Sequence, residues 1–173
     1  DFCLSRGLGD VYKRQVLSTV HTNSAAATVT RLIEMGAKDY LVSSTLTGVI
    51  AQRLVRRLCD KCKEEYIPTE EEVKHITTNP ELQQKLMKTK LYRKKGCKEC
   101  GYLGFTGGLG IYEIMPITRE IKKLIAQGAH DIEIEEAAVA AGMKTLKDSC
   151  LNHIIEGRTT TDEFIRVLGY ASD

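Results

Sequence analysis

No apolar run in this 173-residue sequence approaches the roughly 18 residues needed to span a bilayer, so no transmembrane helix is expected within it. The opening stretch "DFCLSRGLGDVYKRQ" lacks a continuous apolar segment and does not read as a secretory signal. A strong charge of either sign is missing too. The formal net charge of +2 is too small to argue for nucleic acid or an anionic membrane as partner. These absences point to the cytoplasm, where disulfides are rare.

What is present fits a globular chain, with 42% apolar and 28% charged residues, long enough for one domain or a core with a small appendage. Residues 1–15, Cys3 included, show no period and resemble a translated sequencing adapter; they are read as a non-native or disordered leader. From Val16 the pattern is α/β. "VLSTV" (16–20) reads as a buried strand. A helix follows, with Val29, Leu32, Ile33 and Met35 on one side, Asn23 or Ser24 as N-cap and Gly36 at its end. A second helix is expected over 38–52, on the spacing of Leu41, Thr45, Leu46, Val49 and Ile50. "RLVRRL" (53–58) reads as a strand.

Residues 63–96 are charged and poor in apolar side chains. Two short helices are expected there, one starting at Thr69 with a Thr69/Glu72 capping box, the other near Pro80. "GFTGGLG" (104–110) reads as turn chemistry, and "GIYEIM" (110–115) alternates as a strand does. Four helices are expected beyond it, over 118–127, 131–141, 143–156 and 160–168, with Gly128, Gly142, Gly157 and Gly169 at their C-terminal ends. Asp131 and Thr160 are the expected N-caps, with Glu163 completing a box with Thr160. Cys150 falls on an apolar stripe and reads as a buried small hydrophobe.

The chemistry-bearing pattern is a repeated Cys-x-x-Cys, at Cys59/Cys62 and Cys97/Cys100. Two such turns supply four thiolates, the set that tetrahedral Zn2+ prefers. Nearby basic residues (Arg56, Arg57, Lys61, Lys63, Lys94, Lys95, Lys98) favour the ionised thiolates. A thioredoxin-like redox pair explains one pair but not two, and neither pair opens a helix of a βαβ unit. With all four ligands cysteine, no coordination position is left for a substrate, so the zinc is expected to be structural. His21 stands between the first strand and a helix N-terminus, where an α/β sheet binds anions. The same position suits a structural hydrogen-bonding histidine, and both readings stand at this point.

Three stretches, "VLSTVHTNSAAATVTRLIEMG", "GVIAQRLVRRLCDKC" and "KGCKECGYLGFTGGLGIYE", resemble the secretion ATPases of the type II secretion and type IV pilus assembly family. The resemblance runs from Val16 to about Leu168. It implies a RecA-like P-loop ATPase core, a homo-hexameric ring, and ATP with Mg2+ as cofactors. It also implies a cytoplasmic position at the inner membrane, held by a platform protein; the near-neutral charge argues for no nucleic-acid partner. His21 would be the histidine near the γ-phosphate, and Cys59, Cys62, Cys97 and Cys100 the zinc ligands. Arg53, Arg56 and Arg57 fall in a basic stretch of the same core; a solvated strand edge is the alternative for them.

The departures are as informative. The 173 residues contain no G-x-x-x-x-G-K-[ST], and no acidic strand that would hold Mg2+. In the family both precede the histidine motif, and Gly108 stands where a basic residue is usual. The chain therefore reads as the C-terminal part of a longer motor, inactive alone. The expected division is a leader (1–15), the end of the ATPase core (16–58), a tetracysteine insertion (59–100), a return strand (101–117) and a helical module (118–173). The alternative function is a stand-alone zinc-ribbon binding or interaction module.

Overall fold

The computed structural model describes residues 16–169; the expected leader with Cys3, and residues 170–173, lie outside them. Elements alternate as helices α1 (Ala25–Glu34) and α2 (Asp39–Thr45), strands β1 (Gly48–Leu58) and β2 (Glu64–Tyr66), helices α3 (Glu70–Ile76) and α4 (Pro80–Met87), and strands β3 (Leu91–Arg93) and β4 (Phe105–Pro116). Helices α5 (Arg119–Ala126), α6 (Asp131–Ala140), α7 (Leu146–Ile155) and α8 (Thr161–Leu168) follow. The chain is thus mixed α/β.

The framework is a long antiparallel ribbon of β1 and β4, running from Gly48↔Pro116 to Leu58↔Phe105. Side chains alternate along β4, so Ile111, Glu113 and Met115 point inward while Tyr112 and Ile114 face out. Near its far end β4 carries one residue more than β1, since Arg56 pairs with Gly108 and Leu58 with Phe105. Gly107 takes φ +74° in that bulge, a conformation that costs an L side chain energy but not glycine. The stretch read as a turn is therefore strand. Its glycines serve the bulge and let β4 run up to the second cysteine pair.

Apolar clusters follow one another along the ribbon. At the Gly48 end, Ala25, Ala26 and Val29 of α1 and Val42 of α2 pack with Met115, Ile121, Ile125 and Ile134. In the middle, Val55 and Ile111 of the ribbon meet Val73 and Ile76 of α3, Leu86, Leu91, Cys150, Ile154 and Phe164. Cys59, Cys62 and Cys100, with Cys97, gather at the Leu58 end. The four C-terminal helices thus divide, α5 and α6 joining α1 and α2, α7 and α8 joining α3 and α4.

Several local expectations change. Residues 16–20 form no strand among the described residues, and Val16 and Leu17 are exposed; a strand needs a neighbour, and none pairs with them here. The helix expected over 38–52 ends at Thr45, because Leu46 turns extended (ψ 128°). Val49 and Ile50, which fit a helical spacing, instead alternate in and out on β1. Asp131 is the first helical residue of α6 and His130 its N-cap, whose N–H donates to Glu133 Oε2 at 2.9 Å. The short pair β2–β3, three residues each, was not among the expected elements. The capping residues Ser24, Thr69/Glu72 and Thr160, the first-turn Pro80 and the buried Cys150 are found as expected.

Candidate functional site

The two Cys-x-x-Cys turns meet at the end of the ribbon. In the first, the N–H groups of Cys62 and Lys63 donate to Cys59 C=O. In the second, Cys97 precedes a single 3-10 turn, Lys98–Cys100, and the N–H of Tyr102 returns to Cys97 C=O at 2.8 Å. The Cys59 N–H donates to Gly104 C=O at 3.0 Å, so the two turns are tied before any ligand is considered.

All four Sγ atoms lie within 4.8 Å of one another. Cys59–Cys97 is 3.9 Å, and Cys62–Cys100 and Cys97–Cys100 are each 3.8 Å. A tetrahedron with Zn–S bonds of about 2.3 Å has sulfur–sulfur edges of about 3.8 Å, so the donor set fits the ion. A disulfide needs about 2.05 Å, and none of the four is in one. The N–H groups of Cys97 and Gly104 each donate to Cys100 Sγ at 3.2 Å. The Cys97 N–H, foremost, holds that thiol down at about 6. Burial pushes the Cys62 thiol up to about 12. A cation among the sulfurs would remove that opposition, since metal binding displaces the thiol proton.

Beside the middle of β1, His21, Thr22, Asn23 and Arg53 line a surface hollow of about 240 Å3. It opens at the head of α1, where Ser24 caps the helix by accepting from Ala27 N–H at 3.1 Å. Arg53 Nη2 donates to Asn23 Oδ1 at 2.8 Å and to Thr22 C=O at 3.2 Å. Arg53 and His21 thus line the same hollow, and none of the four cysteines lines it. The other two arginines of the basic stretch have separate partners. Arg57 pairs with Asp60 at 2.8 Å, and Arg56 turns to Glu163.

Two buried carboxylates tie distant elements together, Glu113 with no role expected from the sequence and Glu163 in place of the capping role expected for it. Glu113, 2% exposed, accepts from Ala25 N–H at 2.7 Å and Leu146 N–H at 3.2 Å. It joins the first turns of α1 and α7, where helix dipoles favour an anion. Glu163 does not complete the expected box with Thr160. Its carboxylate accepts from Arg56 N–H at 2.8 Å, from Arg56 Nη2 at 2.6 Å and from Arg166 Nη2 at 2.6 Å. The signal for Glu113 is its inward register between Ile111 and Met115, since a charge on a buried strand face needs partners.

A sequence profile described as Type II/IV secretion system protein matches residues 14–166. The chain belongs to that family. It is 38% identical over 150 residues to the type IV pilus assembly ATPase PilB of Thermus thermophilus, covering 87% of this chain and 16% of that protein. The PilB of Myxococcus xanthus gives the same identity over 87% of this chain and 26% of its own length. The type II secretion system ATPase E of Vibrio cholerae is 38% identical over 152 residues, 88% of this chain and 29% of that protein. The chain therefore spans less than a third of each of these relatives.

Proposed function

We infer that this chain is the C-terminal part of a hexameric ATP-hydrolysing motor for type II secretion or type IV pilus assembly. The observation that carries this reading is the hollow that His21 and Arg53 line together at the head of α1, in a chain of this family. A neutral or protonated imidazole and a guanidinium can both donate to phosphoryl oxygens, and the free N–H groups of a helix start add to the same field. His21 would act on the γ-phosphate when a P-loop elsewhere in the longer protein presents ATP and Mg2+. Cys59, Cys62, Cys97 and Cys100 would hold Zn2+, which supplies a fixed tetrahedral joint rather than chemistry. The motor would work at the cytoplasmic side of the inner membrane, through a platform protein there. No helix among the described residues is long and apolar enough to cross a membrane.

The test is the complete gene product carrying His21→Ala. An interaction made mainly in the transition state lowers kcat while leaving ATP affinity nearly unchanged, by roughly ten- to a thousand-fold for one electrostatic donor. Zinc content and ring assembly should be intact. A structural histidine would instead lower the melting temperature and leave kcat per folded molecule near normal, which would overturn the assignment.

A further inference from the structure

The turn between α7 and α8, residues 156–160, is bound to the residues that flank the tetracysteine centre. Leu58, just before Cys59, donates its N–H to Arg158 C=O at 2.8 Å. Lys63, just after Cys62, donates through Nζ to Gly157 C=O at 3.0 Å and to Asp60 Oδ1 at 3.0 Å. Its ammonium also stands 5.0 Å from the Tyr92 ring centroid, and the side chain is only 21% exposed. Tyr92 lies on β3, which leads to Cys97. A Cβ on Gly157 would meet the Tyr92 ring at 2.5 Å, and φ there is +67°, so only glycine lets α7 end against β3.

We propose that the tetracysteine centre, when it holds its metal, positions the α7–α8 turn, with Lys63 as the positioning residue that connects them. This rests on the structural-metal reading of the four cysteines. Four metal–sulfur bonds would fix Cys59 and Cys62 against Cys97 and Cys100, and with them the atoms one residue away. The Lys63 ammonium then holds the Gly157 carbonyl, two residues past the end of the ten-residue helix α7, where a cation is favoured. Without the ion the knuckles keep only the Cys59–Gly104 hydrogen bond and the end of the ribbon between them, so the Leu58 and Lys63 bonds to the turn have a weaker anchor. The turn's slack passes to the start of α8, which carries Glu163.

Hydrogen exchange on the purified chain tests this, after metal analysis, in three forms: zinc-loaded, chelator-stripped, and zinc-loaded Lys63→Met. Peptides covering 156–163 should exchange about tenfold faster in the stripped chain and in Lys63→Met, in the manner of a local opening. Amides of α1 and α5, packed at the other end of the ribbon, are the reference and should be unchanged in Lys63→Met. Unchanged protection of 156–163 in stripped chain whose 59–104 segment has opened would overturn the proposal. So would a zinc-loaded Lys63→Met that exchanges like the parent, and this variant decides if the stripped chain unfolds throughout. A chain that binds no zinc overturns the metal reading itself, and this proposal with it.

Discussion

Glu163 illustrates how much one side chain can organise here. Its side chain is 0% exposed, while those of Arg56 and Arg166 remain 51% exposed. Burial pushes the carboxyl up, but the two guanidiniums and the Arg56 N–H outweigh it and hold it down at about 2. A carboxylate with a depressed folded value contributes stability above its ordinary value of about 4.5, lost as pH falls towards 2. Glu163→Gln is expected to lose roughly 1.5–3 kcal/mol at pH 7, the range for hydrogen bonds to a charged group. Urea unfolding of both proteins should show that gap narrowing between pH 4.5 and 2. A gap that is constant with pH would show that packing, not charge, is lost. Glu113 belongs to the same scale. Glu113→Leu leaves the Ala25 and Leu146 N–H groups without their acceptor and is expected to cost about 1–3 kcal/mol for each one left buried, read from the same unfolding curves.

At the scale of elements, the two knuckles and the bulge act together. The bulge aims β4 so that Phe105 sits under Arg56, 4.3 Å from guanidinium carbon to ring centroid. Gly107→Val forces a β-branched residue to φ +74° and is expected to cost about 1–3 kcal/mol, the price of a strained backbone position. Gly107→Asn, which tolerates that region better, should cost less, and denaturation midpoints would rank the two. The knuckles were legible in the sequence because both ligands of each lie three positions apart. Helix starts at Ser24, Thr69, Pro80 and Thr160 were legible for the same reason: a cap is a local device. What the sequence concealed was long-range. Glu113 finds Ala25 88 positions away, and Glu163 finds Arg56 107 positions away; no periodicity records such partners. Val49 and Ile50 misled because a short apolar spacing fits both periods, and pairing with β4 decided for strand.

At the scale of the whole molecule, one ribbon carries three consecutive clusters, with the cysteines at one end and the His21 hollow beside its middle. The chain covers 16% to 29% of the three relatives described above, and its 173 residues contain no P-loop motif. The purified chain alone is therefore expected to show no ATP hydrolysis above buffer. Turnover surviving rigorous purification, and following the chain through a final size-exclusion step, would reject that expectation. The tetrahedral joint at the cysteine end, and its hold on the α7–α8 turn, depend on the metal. The most direct measurement is elemental analysis with X-ray absorption on chain purified in reducing buffer. The account requires about one Zn2+ per chain with four sulfur neighbours at about 2.3 Å, and loss of the ion in Cys97→Ser. Folded chain with four free thiols and no metal, or zinc with nitrogen or oxygen neighbours, would contradict it.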